Sequence, residues 1–435
     1  MSSNAGLSDS PNPPAATEVL PSPLGIRDFR IYWIGQFISL VGMWTQMVAQ
    51  GIVVTDLTQS ASTIAWISLV CAVPMWLLMM PAGVLADRHD RRKILIATQA
   101  CLAVVAFAFA ALVWGGHLRL YHVFIIGIAA NTIAAFDFPA QQAIVPQLVP
   151  QPLIPKAVAL NQMIFHGSRL IGPAIAALLL AFLSPASAFI ANGLSYFAVI
   201  YSLTLIASHP VAAKPAGEQK KGAGGMGEAL HFVRTHPMVL ALIGLTGLVT
   251  AFVMPISIVF MPLICKQVFH ASRAEFGIVM AGSGLGALLG SVSMLRVPAK
   301  ARGKVIFLAV FVATCGVVTL AYAGSPYVAA PILMVTSGST ALAMGLSATT
   351  IQVIVPNELR GRVMGLYGMT FVGVMPPAGV LWGYLGDLTS LHIMLIALGC
   401  AFGATALSLL TVTGIWSMDP ANIVPAARVE SVEAA

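Results

Sequence analysis

Charged residues are the scarcest class in this sequence. Only 9% of its 435 residues are charged, whereas 58% are hydrophobic, and the mean hydropathy is +0.90. A soluble chain of this length could not keep its surface hydrated with so few charges. The composition therefore excludes a soluble globular protein and indicates a chain that crosses a membrane many times.

Cysteine is also scarce. The five cysteines lie in or at the end of apolar runs, which excludes a disulfide framework and a metal cluster. The sequence contains no Walker loop, no catalytic triad and no His/Cys cluster with metal-ligand spacing. GSGLGA, from Gly282 to Ala287, matches a dinucleotide fingerprint, but no strand precedes it, so we exclude a nucleotide site. We expect no cofactor, no metal and no enzymatic activity.

Long apolar runs dominate the chain instead. A membrane-spanning helix needs roughly twenty mostly apolar residues, and twelve runs meet this requirement. They lie near 31–54, 63–84, 94–114, 121–143, 157–183, 187–207, 238–263, 275–295, 305–324, 328–355, 363–386 and 391–415. We predict an all-α membrane protein with twelve transmembrane helices in two six-helix bundles.

The basic residues predict the orientation of these spans. Cytoplasmic loops of membrane proteins collect Lys and Arg. With the N-terminus inside, eighteen of the 22 basic residues are cytoplasmic, three are external, and Arg169 lies within a span. The net charge of +7 therefore reflects orientation, and we expect no nucleic-acid partner. We predict a multi-pass protein of the cell inner membrane with both termini cytoplasmic.

The longest polar stretch within the body divides the chain into two halves. It covers 208–236, between the sixth and seventh spans, and its end, MGEALHFVRTH, predicts a short surface helix. We predict an N-terminal six-helix bundle over 26–207 and a C-terminal one over 237–415. The polar segments 1–25 and 416–435 are typical of disordered tails, and the first has no signal-peptide pattern.

A short repeat relates the two halves. QAIVP, Gln142 to Pro146, recurs as QVIVP, Gln352 to Pro356, at the same loop-to-helix junction. Further identities follow in the same register. Such duplications are typical of secondary transporters, whose halves rock about a central site.

The most distinctive motif is GVLADRHDRRKIL, Gly83 to Leu95, between the second and third spans. It resembles the signature loop Gly-x-Leu-Ala-Asp-Arg-x-Gly-Arg-Arg/Lys of the major facilitator superfamily, with Asp90 where the broad pattern has Gly. The form DRxDRR is similar to the secretion-effector and drug:proton antiporter branch, which includes enterobactin exporters and macrolide-efflux proteins. FDFPAQQAIVPQLV and VPNELRGRVMGLYG also resemble this branch. The resemblance implies the major facilitator fold, alternating access and a small-molecule substrate.

The charges of this loop predict a gate at the cytoplasmic mouth. Opposite charges can hold the two halves together in one state and separate in the other. The resemblance supports a latch between the loop and the fourth span, in which Asp137 lies within reach of Arg91. The alternative is that these charges only set topology and solvate a loop. The candidate gating or coupling residues are Asp87, Arg88, Asp90, Arg91, Arg92 and Asp137.

The fifth span carries a polar face. Gln162, His166 and Arg169 follow helical spacing and share one side. An arginine within a span is costly, so Arg169 is a candidate functional residue, with a neutralised structural charge as the alternative. His166 is a candidate proton carrier because histidine titrates near neutral pH. A hydrogen-bonded packing residue is the alternative for His166.

Small residues lie about a quarter-turn from this polar face. They resemble the antiporter motif G-x8-G-x3-G-P-x2-G-G of exporters, with Ala or Ser at four Gly positions; they are Ala159, Ser168, Gly172, Pro173, Ala176 and Ala177. Small side chains let another helix approach closely. We predict that this helix is the eighth span, which would pack on the fifth through Gly282, Gly286 and Gly290.

Polar residues of other spans predict a substrate pathway. In the superfamily, the first, fourth, seventh and tenth spans surround the central cavity. For any single residue, an interhelical hydrogen bond is an equally good explanation. A cavity with few charges would suit a large, amphipathic, mostly uncharged substrate. Besides the three polar residues of the fifth span, the candidates are Ser39, Met43, Gln46, Gln50, Asn131, Thr336, Ser339 and Thr340.

These features predict a secondary transporter that exports a small organic compound, such as a drug or a siderophore, in exchange for protons. An importer or facilitator with the same fold is one alternative. A membrane sensor that binds a ligand without transporting it is another. We expect the protein to act as a monomer in the lipid bilayer.

Overall fold

The computed structural model describes residues 22–206 and 226–417. Most of the predicted tails and of the central loop lie outside these ranges. Within them, the side chains of four predicted site residues also lie outside the described part of the structure: Asp87, Arg88, Gln162 and His166.

The described ranges contain fourteen α-helices and no strand. The helices are α1 (Arg27–Leu57), α2 (Ala61–Arg88), α3 (Arg91–Trp114), α4 (Leu120–Ile144), α5 (Ile154–Phe182), α6 (Ala186–Leu205), α7 (Met226–Thr235), α8 (Pro237–Phe252), α9 (Met261–Gln267), α10 (Arg273–Ser293), α11 (Arg302–Leu320), α12 (Pro326–Ile354), α13 (Asn357–Leu388) and α14 (Leu391–Val412). Twelve helical segments are long and apolar enough to span a membrane, and α8 and α9 together form the seventh. The predicted number and order of spans are confirmed.

The two ends of the described chain lie on the same face of the molecule, because the number of spans is even. We call this side the terminal face and the opposite side the far face. Serine side chains start several spans at the far face: the hydroxyls of Ser60, Ser272, Ser325 and Ser390 each accept a hydrogen bond from the backbone N–H three residues later. These caps satisfy N–H groups that the first helical turn leaves without a partner.

The spans form two six-helix bundles. In the first bundle, α1 packs on α5 and α6, α2 on α4, and α3 on α4 and α6; in the second, α8 packs on α13 and α14, α10 on α12, and α11 on α12 and α14. The halves meet along α2 with α13 and along α5 with α10. Large apolar side chains cover much of the outside of the molecule, as the hydrocarbon of a bilayer requires.

The predicted surface helix is α7, at the terminal face against α8 and α13. Its buried side is apolar and includes Ala229 and Val233. Glu228 forms an ion pair with Arg362 of α13 at 3.7 Å. Partly exposed ion pairs contribute little, so the apolar side provides most of the attachment.

The seventh span is interrupted near the middle of its length. Pro255 lies between α8 and a π-helical turn at Ile256–Phe260. A proline cannot donate the backbone hydrogen bond to the carbonyl four residues earlier, which here belongs to Ala251. The indole Nε1 of Trp382 on α13 donates to that carbonyl at 2.9 Å. A side chain of another helix therefore satisfies the backbone group that the break leaves open.

The glycine stripe of α10 packs on a different helix from the one predicted. A β-carbon added at Gly286 or Gly290 would collide with the backbone of Met334 or Gly338, and one at Gly282 would lie 2.9 Å from the carbonyl oxygen of Ala330. All three partners belong to α12. The prediction that this stripe contacts the fifth span was wrong, because a spacing of four residues defines one face of a helix without defining the helix that it meets.

The predicted contact between the fifth and eighth spans does exist, through two other glycines. A β-carbon at Gly284 would collide with the carbonyl oxygen of Arg169, and one at Gly277 would collide with Ala177. Gly277 and Gly284 are two turns apart and form a second small-residue face of α10. Small residues thus occupy two sides of α10. One side packs on α12 of the same half, and the other packs on α5 of the opposite half.

We predict that Gly286→Ala destabilises the protein. The added methyl group has no space against the α12 backbone, and overpacking of this kind costs about 1–3 kcal/mol. The measurement is the thermal unfolding midpoint of the purified full-length protein in detergent, which should fall. Gly247→Ala in α8 is the matched control, since its β-carbon would meet no atom within 4 Å. An equal midpoint for the two variants would contradict the close α10–α12 contact.

Candidate functional site

A cavity of about 400 Å³ lies between the two halves, and we call it the arginine cavity. Its walls come from α1 and α5 on one side and from the break in the seventh span, α10, α12 and α13 on the other. Most lining side chains are aromatic, aliphatic or thioether groups. Its polar lining consists of Arg169, Ser257, Ser291, Ser337, Thr340 and Tyr367.

A second cavity of about 500 Å³ lies nearer the far face, and we call it the glutamine cavity. α1, α2 and α4 form one wall, and the seventh span and α13 form the other. Four predicted pathway residues line it: Met43, Gln46, Gln50 and Asn131. Ile258, in the π-helical turn of the seventh span, lines both cavities.

Of the remaining predicted pathway residues, only some line a cavity. Thr340 lines the arginine cavity, and Ser339 is half-buried outside both cavities. Ser39 and Thr336 are buried, and Thr336 donates to the carbonyl of Ile332 in its own helix at 2.8 Å. For Ser39 and Thr336, the structure favours a packing role.

Arg169 lies in the arginine cavity, and two glycine contacts fix its position. Gly172 brings α5 so close to α1 that an added β-carbon would collide with Trp44. The guanidinium carbon of Arg169 lies 5.5 Å from the centre of the Trp44 ring, a cation–π distance. Gly284 of α10 approaches the Arg169 backbone from the other half. Ser168, one residue earlier, is fully buried and donates to the carbonyl of Phe165 at 2.9 Å.

The charged loop at the terminal face is tied to backbone carbonyl groups. Asp90 caps α3 by accepting a hydrogen bond from the backbone N–H of Arg92 at 2.9 Å. The guanidinium of Arg91 donates to the carbonyl of Ala143 at the end of α4 at 3.0 Å. The guanidinium of Arg92 donates to the carbonyl of Thr204 in α6 at 3.1 Å. These bonds attach the loop to α4 and α6 of its own half.

Asp137 accepts hydrogen bonds from neutral groups rather than from Arg91. It is 6% exposed, and its carboxylate accepts from the hydroxyl of Thr98 and from the amides of Gln99 and Gln141. The expected contact with Arg91 was wrong for the conformation described here. Arg91 reaches Ala143 instead, which is six residues further along α4 and about 9 Å closer to the loop.

Two carboxylates at the far face join the halves, and neither is among the predicted site residues. Asp387, near the end of α13, accepts hydrogen bonds from the backbone N–H groups of Ala61 and Ser62 and from the hydroxyls of Ser60 and Ser62. These donors form the N-terminus of α2, where a negative charge is favourable. We call this set, together with Asp56 and its partners, the far-face clasp.

Asp56 completes the far-face clasp at the end of α1. Its two oxygens lie 2.6 Å from Lys266 Nζ and 3.1 Å from Arg273 Nη2, both of the second half. Lys266 also donates to the carbonyl of Thr55 at 3.0 Å. Among the described contacts, the hydrogen bonds between the halves all lie at this face. The far face is therefore closed, and the cavities lie behind the clasp.

The family model for transmembrane secretion effectors matches residues 20–434 of the chain. The protein is a transmembrane secretion effector of the major facilitator superfamily.

Curated relatives of this secretion effector include efflux transporters. Macrolide efflux protein A of Streptococcus pyogenes is 26% identical over 369 residues, covering 82% of this chain and 89% of the relative. The enterobactin exporter of Salmonella typhimurium is 23% identical over 362 residues, covering 83% of this chain and 86% of the exporter. The family consists of transporters, not enzymes. The secretion effector is thus a multi-pass membrane transporter with a small-molecule substrate.

Solved structures share the fold of this secretion effector. A bacterial homolog of the human lysosomal transporter Spinster, in an inward-facing and unoccupied conformation, matches with a TM-score of 0.70 and 12% identity over 93% of this chain and 98% of that one. A D-xylose–proton symporter matches with a TM-score of 0.71 and 13% identity over 91% of this chain and 100% of that one. These matches establish the major facilitator fold.

We predict that Asp387→Asn in the secretion effector weakens the closure of the far face. The neutral amide no longer complements the donors of α2, and exposed charge interactions are worth up to about 1 kcal/mol, so the far-face-open population should rise about two- to fivefold. The reporter is Cys71, which lines the glutamine cavity. With the other four cysteines replaced, a membrane-impermeant maleimide added at the far face of sealed vesicles should label Cys71 faster in the variant.

Asp28→Asn in α1 at the terminal face is the control for loss of a carboxylate, because no described bond joins Asp28 to the other half. Its labelling rate should equal that of the parent. If Asp387→Asn combined with Asp56→Asn still labels at the parent rate, the clasp does not hold the far face closed.

Proposed function

We propose that this secretion effector exports a small organic compound across the cell inner membrane by alternating access, in exchange for protons. The terminal face is then cytoplasmic, since eighteen of the 22 basic residues belong to that side in the sequence. Macrolide efflux and enterobactin export by the relatives support the outward direction. The protein works as a monomer in the bilayer, without a nucleic-acid partner.

The observation that carries the proposal is a pair of cavities between the halves that lie behind a far face held closed by bonds from one half to the other. A transporter must expose one site to each side in turn, and two rigid bundles can do this by exchanging the face at which they touch. The described conformation has the far-face contacts formed. It is the cytoplasm-facing state of the proposed cycle.

Asp137 is the proposed coupling residue. It is the carboxylate buried within the fourth span, and its partners are three uncharged side chains. A carboxyl group surrounded by hydroxyl and amide groups can change its protonation state and its hydrogen-bond pattern without breaking an ion pair. The loop residues Asp87, Arg88, Asp90, Arg91 and Arg92 are the proposed gate at the cytoplasmic face, and Gln162 and His166 remain pathway candidates.

Transport in everted membrane vesicles tests this function. We expect at least one member of a panel that includes macrolides and catecholate siderophores to accumulate in vesicles that contain the protein when the vesicle interior is acidic. Asp137→Asn should reduce proton-driven accumulation at least about tenfold, whereas Asp137→Glu should retain part of it, because a buried group that must release and rebind a proton cannot be replaced by an amide. The control is Asp28→Asn, which removes a carboxylate at the cytoplasmic end of α1.

Other outcomes identify the alternatives. Accumulation that requires right-side-out vesicles would support an importer, and flux without a gradient would support a facilitator. Saturable binding without flux would support a sensor. Unchanged proton-driven transport in Asp137→Asn would leave export standing and remove Asp137 as the coupling residue.

A further inference from the structure

We propose that the transported compound carries an acidic group on an apolar or aromatic body, and that Arg169 binds this acidic group in the arginine cavity. This inference rests on the proposed transport function and specifies the substrate class of the same site. It replaces the expectation of a mostly uncharged substrate.

Arg169 is the one charged residue among the described residues that line the arginine cavity. No described oxygen atom accepts a hydrogen bond from its guanidinium, and its one described electrostatic interaction is with the ring of Trp44. Arginine carries five N–H donors and keeps its charge in proteins. Because an unpaired charge in a membrane interior is costly, an anionic ligand is the partner that the site lacks.

Four of the five hydroxyl groups in the cavity lining already take part in hydrogen bonds within the protein, whereas the indole Nε1 of Trp44, beside Arg169, is a buried donor without a described partner. Ser291, Thr340 and Tyr367 donate their hydroxyl protons to backbone carbonyls at 2.8–3.1 Å. Ser337 shares a hydrogen bond with Ser283 at 2.8 Å. Their oxygen atoms still have free lone pairs, so they can accept hydrogen bonds from a ligand. The acceptor-rich group of a ligand is therefore best placed at Arg169.

The remaining wall of the cavity suits an apolar body. Trp44 and Phe165 meet edge to face at 6.0 Å between ring centres. Met254, Met294 and Met344 add flexible thioether side chains, which adapt to ligands of varied shape. A ligand with an aromatic body could pack here while its acidic group reaches the guanidinium.

The position of the guanidinium is fixed before any ligand binds. Gly172 holds α5 against α1 beside Trp44, and Gly284 holds α10 against the backbone of Arg169 itself. A binding group on packed helices loses little freedom on binding. A cationic ligand would face this charge without any described carboxylate in the lining to offset it, so the geometry favours anions over cations.

Thermal unfolding of the full-length protein in detergent tests the inference, since a bound ligand raises the unfolding midpoint by mass action. The probes are acids and amines with the same aromatic skeleton: 2-naphthoate with 2-naphthylmethylamine, 1-pyrenebutyrate with 1-pyrenemethylamine, and fluorescein with rhodamine 6G. We expect acids to raise the midpoint and the matched amines to leave it unchanged. Arg169→Gln should weaken acid binding at least about tenfold, and Arg169→Lys should weaken it less.

Arg234→Gln on the exposed side of α7 is the control, and it should bind the acids as the parent does. The inference is overturned if the amines shift the midpoint as much as the acids, if no acid shifts it, or if Arg169→Gln binds acids normally. Should Arg169→Gln not unfold cooperatively, the acid–amine contrast in the parent and the Arg169→Lys affinities decide.

Flux of the same probes in proteoliposomes separates this inference from the proposed function. Acids that bind through Arg169 but are not transported would contradict transport and leave the anion site standing. Amines that are transported while acids are not bound would contradict the anion site and leave transport standing.

Discussion

Backbone contact at the glycines of α10 determines how closely the helices around the arginine cavity pack. Gly286 and Gly290 remove the side chains that would separate α10 from α12, and Gly284 does the same toward α5. Apolar side chains gain little by leaving lipid for another helix, so van der Waals contact over narrow surfaces holds spans together. Since α5 belongs to one half and α12 to the other, α10 sets the distance across which the arginine cavity opens. Arg169 owes its position to the same contact.

The sequence predicts the architecture well and individual contacts poorly, for physical reasons. Apolar runs and basic residues define the spans because the bilayer imposes one length and one solvent on all of them. Glycine spacing defines a face of α10, but two faces of this helix carry glycine. No local sequence pattern shows which face packs on α12 and which packs on α5. Asp137 is recognisable as a buried carboxylate, whereas its neutral partners Thr98 and Gln99 depend on the rotation of α3 against α4.

The far-face clasp shows why long-range polar contacts escape such reasoning. Asp56 and Asp387 lie at span ends, where a carboxylate is usually hydrated, and their partners come from the opposite half of the chain. The two basic residues that contact Asp56 are among the few that the sequence places outside the cytoplasm. Because basic residues are scarce at that face, the presence of Lys266 and Arg273 there could have indicated a role for them in the sequence. Asp56, Lys266, Arg273 and Asp387 join the halves at that face, whereas the described bonds of Arg91 and Arg92 at the other face stay within their own half.

The break in the seventh span links two helices that surround the cavities. Because the indole of Trp382 replaces the hydrogen bond that Pro255 cannot make, the bend angle of α8 and α9 depends on the position of α13. If α8 or α13 moved alone, the carbonyl group of Ala251 would lose its hydrogen-bond donor in a medium without water. In a rocking motion, we therefore expect the break at Pro255 to move together with α13 and to carry Ile258, which lines both cavities.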